Sequence, residues 1–423
     1  MFVPPVAVAA GVERPALIEP RDSVFLRDAV ALALLNSPDL AAFAWELRAR
    51  EARLVQAGRL PNPALDVMVE DIGASGRAGG ATATDQVIQP QTTMQLGQLI
   101  ELGGKRTARR DAAARTRDLA AWDYEAARMN VLTRVTRDFI DVLTAQDMVA
   151  LTAQTTSLVT QVQQSVAARV EAGVVSPIEE NRAGVSLASV RIESARAVRM
   201  LDAARRRLAS NWGASEPTFA GVAGQLSVAT ALPAITELQG RLASNPDLAR
   251  WAVEILQREA LVASERAKRV PDVTLSGGYR RFTDLQRGAL VIGASIPLPV
   301  FDRNAGAITE ARSLLAKSHE ERRGAEARVF VRLADAYQAL ASAHDELTAV
   351  RTAVLPGSRQ TFEAVSEGYR AGKFGFLDVL DAQRTLIAAG GQYVRALAEY
   401  HKAVADIERI IGMRMSELTG ERR

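Results

Sequence analysis

The chain has 423 residues, 48% of them hydrophobic but only 5% aromatic, and a formal net charge of +3. Globular cores lean on aromatic side chains for buried area, so an apolar share made of Ala, Leu and Val points to long helices and coiled coils; Arg interspersed with Asp and Glu describes solvated helix faces and excludes a nucleic-acid patch. With no cysteine, disulfides, Cys-based zinc sites and lipidation through Cys are excluded for this chain.

In chain order, the opening "MFVPPVAVAAGVERP" lacks the basic region of a signal peptide and reads as a mature or truncated N-terminus. A helix is expected over 24–60, then a strand over 63–72, where Leu65, Val67 and Val69 alternate with Asp66, Met68 and Glu70. The glycine-rich "GASGRAGG" (73–80) lacks the Lys-Ser/Thr of a phosphate loop and is expected as an exposed, mobile loop. A second strand follows over 92–100. From Lys105 to Ala172 no proline or glycine interrupts the chain, so one helix is expected over 105–172. It would extend about 100 Å at roughly 1.5 Å per residue. Gly173 ends it, and a return helix over 178–211 and a linker over 212–235 complete the first half.

The same order then repeats. "SNPDLARW" (244–251) matches "NSPDLAAF" (36–43), and "EGYRAGKFGFLDVLDAQRTL" (367–386) aligns with "ARVEAGVVSPIEENRAGVSL" (168–187), Gly372 on Gly173 and Asp378 on Glu179. The expected domains are therefore two structural repeats, 1–235 and 236–423. In the second, a helix over 236–270 leads to strands over 272–281 and 289–297, a long helix over 305–371, a return helix over 376–412 and a C-terminal tail. Pro356-Gly357 is expected to kink or break the long helix. The fold class is mostly α with a small β part.

No apolar run is long enough for a membrane helix, which needs about 18 residues or more, and the uncharged stretches 148–168 and 217–236 are too polar. The four β-like runs, however, have the length that a tilted strand needs to cross a bilayer. Open sheet edges are not tolerated in lipid, so a membrane reading requires strands from other subunits. The bland reading is a pair of surface hairpins.

Chemistry-bearing patterns are sparse. His319, His344 and His401 have no ligand spacing, the methionines are scattered, and no nucleophile–base set is visible, so no enzyme activity, catalytic residue, metal site or cofactor is expected. Asp378 and Asp381 are three apart and share one helix face. Glu179, like them, lies just after a helix reversal, where the helix dipole favours anions. Capping and solvation are the plain reading of all of these acids.

The duplicated halves, the "YxxGxxxxLDVLDAQ" pattern at 369–383, "QLIELGGKRTARR" and "LPNPALDV" together resemble the outer-membrane factors of the TolC family, with the last two phrases most similar to the heavy-metal efflux branch (CzcC- and CusC-like). The resemblance spans about residues 24–412. It implies a homotrimer in the bacterial outer membrane, with four strands per subunit in a twelve-stranded β-barrel and long antiparallel helical hairpins forming a periplasmic α-barrel. It implies a passive efflux channel working with a periplasmic adaptor and an inner-membrane, proton-driven pump of the RND type, its substrates heavy-metal cations or drugs. It places Asp378, Asp381, Tyr369 and Glu179 at a pore constriction or gate. The turns at Gly173, Val174, Gly372, Lys373 and Phe374 would dock the adaptor. A gate arginine of the family would fall at Phe374, so no ionic lock is expected from that position. Two other readings stay open: a soluble coiled-coil scaffold, and an outer-membrane channel for a type I protein or peptide exporter.

Overall fold

The structure is a computed structural model that describes residues 19–72, 75–77, 85–87, 90–226, 232–242, 245–282 and 287–415. The opening peptide and the C-terminal tail past 415 lie outside the described residues. Two compact units are present, and both draw on both halves of the sequence. One gathers the described residues within 1–45, 122–249 and 324–423; the other gathers those within 46–121 and 250–323.

The first unit is built from helices and a small parallel sheet. Strand β1 (Ser23–Phe25) pairs with β6 (Gly221–Ala223) in parallel, Val24 opposite Val222. Sequence alone expects helix at the first of these segments and linker at the second. The strand forms because Val24 and Val222 are buried with Phe139, Leu208, Trp212 and Phe219. Buried Glu19 ties this region down, accepting hydrogen bonds from Trp212 Nε1 (2.5 Å) and from the Thr218 backbone N–H and hydroxyl, both at 2.7 Å. Helix α1 (Leu26–Asn36) stops before α2 (Pro38–Ala57), so the single helix expected over 24–60 is two. The reason is Pro38: the residue before a proline is pushed out of the α region, and Ser37 has ψ 122°. Pro246 separates α5 (Ile235–Gly240) from α6 (Pro246–Ala267) at the corresponding place.

Helix α3 (Lys105–Glu171) runs unbroken, followed by α4 (Pro177–Ser210). Helix α7 (Ala305–Ala349) passes through a π-helical turn, Val350–Val354, into α8 (Leu355–Arg370), and α9 (Phe376–Ile411) returns. Pro356 thus neither breaks nor ends the helix. Its ring excludes the ordinary hydrogen bond to the carbonyl four residues before it, and the backbone takes a π turn immediately upstream. Near the reversals Val166, Ala183, Phe362, Tyr369, Phe376, Val379 and Leu380 share one buried cluster.

The second unit holds the main sheet. Strands β2 (Ala64–Glu70), β5 (Gln91–Ile100), β7 (Val273–Phe282) and β8 (Arg287–Ser295) form an antiparallel 4-stranded sheet in the order β2-β5-β7-β8. Two shorter strands, β3 (Ser75–Arg77) and β4 (Asp85–Val87), pair with each other, so the expected loop at 73–80 contains a strand; residues 73, 74 and 78–80 lie outside the described residues.

Candidate functional site

Each helix reversal is built on the same backbone device. After α3, Gly173 N–H donates to the Val170 carbonyl (2.9 Å) and Val174 N–H to the Arg169 carbonyl (2.9 Å). After α8, Gly372 N–H donates to the Tyr369 carbonyl (3.0 Å) and Lys373 N–H to the Gly368 carbonyl (2.8 Å). These are paired Schellman motifs. They require left-handed backbone at Gly173 (φ 71°) and Gly372 (φ 72°), which only glycine adopts without penalty. Phe374, 48% exposed, folds its ring onto Gly368, where any Cβ would collide with it.

The return helices start differently in the two halves. Ser176 caps α4, its hydroxyl accepting from Ile178 N–H at 3.3 Å. In α9 the Asp378 carboxylate accepts from Gly375 N–H at 2.9 Å. Glu179, aligned with Asp378, has another partner: it accepts a 3.1 Å hydrogen bond from the Tyr369 hydroxyl, joining the end of α8 to the first turn of α4. Arg169 completes the clasp. Its guanidinium stacks 4.5 Å from the Tyr369 ring centroid and donates to the Tyr369 carbonyl at 3.1 Å. Burial pushes the Tyr369 phenol above its ordinary pKa, the Glu179 charge and hydrogen bond add to that, and Arg169 opposes it.

Of the residues singled out by sequence, Tyr369 and Glu179 are therefore brought together. Asp378 and Asp381 lie on the exposed face of α9, opposite buried Val379 and Leu380. Gly173, Val174, Gly372, Lys373 and Phe374 form the two reversals. Sequence reasoning missed Arg169 and Gly368. Arg169 carried only the signal of a basic residue in a helix's last turn, which ordinarily complements the dipole. Among the described residues no cluster of His, Asp or Glu could hold a metal ion.

The sheet separates chemistry by face. Residues directly opposite on neighbouring strands share a face, and the register gives rows Leu65–Leu96–Gly277–Ile292, Val67–Met94–Tyr279–Leu290 and Gln98–Leu275–Ala294. This face is apolar apart from Gln98 and, in the end row Val69–Thr92–Arg281–Gly288, Thr92 and Arg281, yet Leu290 and Ile292 are 84% and 89% exposed. The other face carries Asp66, Glu70, Gln91, Thr93, Gln95, Thr274, Ser276 and Arg280, with Met68, Leu99, Phe282 and Val291 among them. There Arg280 pairs with Glu70 (3.3 Å) and donates to the Thr93 hydroxyl (2.9 Å). Strands β5, β7 and β8 have bilayer length, and β2 is shorter at 7 residues against the 63–72 expected; an exposed apolar face on such strands, backed by a more polar face, is the pattern of a transmembrane barrel wall. Among the described residues no helix is long and apolar enough to cross a membrane.

Residues 29–214 and 238–413 match the family model described as outer membrane efflux protein. The chain belongs to the outer membrane efflux protein family. The two matched segments fall one in each half of the sequence. Among relatives, the cobalt-zinc-cadmium resistance protein CzcC of Cupriavidus metallidurans is 37% identical over 387 residues, 92% of this chain and 90% of that one. The nickel-cobalt-cadmium resistance protein NccC of Alcaligenes xylosoxydans xylosoxydans is 26% identical over 69% of this chain and 64% of its own length. A solved structure of CusC superposes with a TM-score of 0.75, at 17% identity, covering 95% of this chain and 98% of that one. The fold is thus that of an outer-membrane channel with helical and sheet parts. Family membership places the protein in the outer membrane as a passive efflux protein and not an enzyme. A soluble scaffold and a type I exporter channel gain no support from these likenesses.

Proposed function

We propose that three copies of this chain form the outer-membrane channel of a tripartite efflux system that carries divalent heavy-metal cations out of the cell. The observation that carries the reading is the main sheet. It has an exposed apolar face, a more polar opposite face and, among the described residues, unpaired outer edges on β2 and β8. Lipid does not tolerate open edges. Closure by identical copies supplies the missing partners, and three copies of a 4-stranded sheet make a barrel of twelve. The metal assignment rests on the relatives, whose names record cobalt, zinc, cadmium and nickel resistance.

In this reading the two sequence halves are structural repeats. The reversals at Gly173 and Gly372 meet a periplasmic adaptor, and a proton-driven inner-membrane pump of the RND type supplies the driving force. The α3–α4 end offers a shallow groove lined by Gln163, Ala167, Glu171 and Glu180 for the adaptor. Asp378 and Asp381 stack as carboxylate rings under threefold symmetry, which select cations. The Tyr369–Glu179–Arg169 clasp holds the closed state.

Two measurements test this. In a strain lacking its own channel, the protein with its cognate pump and adaptor should restore cobalt, zinc and cadmium tolerance. Single cysteines at Leu275 and Thr274 should label with lipid-soluble and water-soluble reagents respectively, because these neighbours face opposite sides of β7. Equal aqueous labelling at both positions sinks the barrel.

A further inference from the structure

The apolar face does not end with the hydrogen-bonded sheet. Along β8, Leu290, Ile292 and Ala294 share the lipid-side register. Beyond the last pair the alternation continues through exposed Ile296, Leu298 and Val300, separated by Pro297 and Pro299. The prolines have no N–H, so this stretch cannot donate to a neighbouring strand at those positions. Val300 N–H instead donates to the Leu298 carbonyl at 2.8 Å, a γ-turn about Pro299 that takes the chain out of the sheet. The next side chain, Phe301, is 100% exposed.

Phe301 is not on a slack loop. Three residues on, Asn304 adopts φ 57° and donates from its side chain to the Glu265 carbonyl (2.8 Å) and carboxylate (3.1 Å), while its N–H donates to the Asp302 carboxylate (2.8 Å). A γ-turn on one side and a side-chain clamp on the other fix the backbone that flanks a fully solvated aromatic ring. Water is a poor partner for such a ring, and removing it from water is favourable. The other connections at this end of the sheet present exposed Leu60, Leu102 and Val270. They also carry exposed Arg59 and Arg269, and Arg303 follows Phe301. Among the described residues these three arginines form no ion pair. Apolar body beside unpaired cation is the chemistry of the headgroup boundary, where aromatic rings and long basic side chains settle.

We propose that Ile296–Phe301 is an interfacial membrane anchor, with Phe301 inserted at the headgroup–acyl boundary of the leaflet on the helix side of the sheet and Arg303 at the phosphates. The occupant is phospholipid, because the segment continues the face already assigned to lipid; the inference rests on that barrel reading.

The chain has no cysteine, so one nitroxide can be placed at will. Phe301→Cys, Ile292→Cys and Asp302→Cys are each labelled and reconstituted, as the full-length protein, into vesicles containing phosphatidylethanolamine and phosphatidylglycerol. At Phe301→Cys, oxygen should relax the label more than a water-soluble nickel chelate does, at a depth shallower than Ile292→Cys, while Asp302→Cys favours nickel. Phe301→Trp should show fluorescence quenched by lipids brominated near the headgroup more than by lipids brominated deep in the chain. A nickel-favouring label at Phe301→Cys, or one shielded from both reagents by another copy, overturns the anchor while Ile292→Cys still reports lipid. If Ile292→Cys itself reads aqueous, the barrel reading falls and the anchor with it.

Discussion

At position 369 a tyrosine does what its aligned counterpart, Val170, cannot: it bonds through its hydroxyl to Glu179 and offers its ring to Arg169. The two repeats differ here, and only the second supplies a side chain that reaches across to the other reversal. Removing the hydroxyl leaves the ring packed on Phe376 (centroids 5.8 Å apart) and the cluster around it. Tyr369→Phe should therefore raise single-channel conductance in planar bilayers without changing cation selectivity, and Glu179→Gln should do so less, since an amide oxygen still accepts the bond. The clasp also has a pH sign. Burial, then Glu179, raises the phenol pKa. A folded-state value above the unfolded one means that the contribution to stability is complete below the unfolded value, about 10. It is lost as pH rises through the folded value. Burial also holds the Tyr124 phenol above its ordinary value, so alkaline absorbance titration should show one fewer late-ionising tyrosine in Tyr369→Phe than in wild type. Asp378 and Asp381 face solvent on the same side of α9, so their role separates from capping by an isosteric change. Asp378→Asn with Asp381→Asn should lose most of the block by divalent or trivalent cations added on the helix side. The helix should stay intact, because an amide oxygen can still take the Gly375 N–H. An unchanged blocking affinity would return both acids to the capping role that the backbone already shows for Asp378.

Elements carry the next level. The glycine reversals were legible because a residue must be glycine to sit at φ near 70° without strain, and the repeat displayed the requirement twice. The unbroken run from Lys105 to Glu171 was legible for the opposite reason, the absence of any breaker. The strands were legible from alternation, and the register now shows what alternation alone left open: that all four apolar faces lie on one side. What was not legible needed partners distant in sequence. The pairing of Ser23–Phe25 with Gly221–Ala223 depends on a shared buried cluster, and Arg169 acquires its partner 200 positions away. Pro38 and Pro246 lie inside the repeated phrases "NSPDLAAF" and "SNPDLARW", and each starts a new helix there. The reversals give a clean test, since an added Cβ at Gly173 or Gly372 meets nothing within 4 Å. The cost of valine there is chiefly backbone strain, on the order of 1–2 kcal/mol or more for a β-branched residue at positive φ. It should distort the turn without unfolding a protein held by several buried clusters. Gly372→Val should keep its oligomeric state in detergent yet lose adaptor cross-linking and metal tolerance in cells. Native cross-linking in that variant would detach the turn from docking.

At the scale of the whole molecule the decisive fact is that the main sheet is unfinished. Among the described residues, its outer strands β2 and β8 each have one paired side and one without. Each unpaired backbone group facing lipid would cost several kcal/mol, so an isolated copy cannot rest in a bilayer. In the proposed trimer, ring closure brings β2 of one copy beside β8 of the next. That contact is heterologous: the two surfaces differ, so rotation about one axis either closes a ring or runs on without end. Interstrand spacing of about 4.8 Å puts facing positions within disulfide reach when the register is right, and the chain's lack of cysteine leaves introduced pairs without competitors. Val67→Cys on β2, combined in turn with Leu290→Cys, Ile292→Cys or Ala294→Cys on β8, samples the register on the lipid face. One of these pairs should oxidise to covalent dimers and trimers on denaturing gels, with the ladder stopping at the trimer. Leu65→Arg, on the same face, should cost about 2–4 kcal/mol if it lies near the midplane and reduce the yield of all cross-linked species, whereas Ser276→Arg on the polar face should leave the ladder in place. A ladder continuing past three would mean that the ring does not close at twelve strands. No cross-link at any pairing, with the sheet still resistant to protease in membranes, would show that something other than a second copy covers these edges.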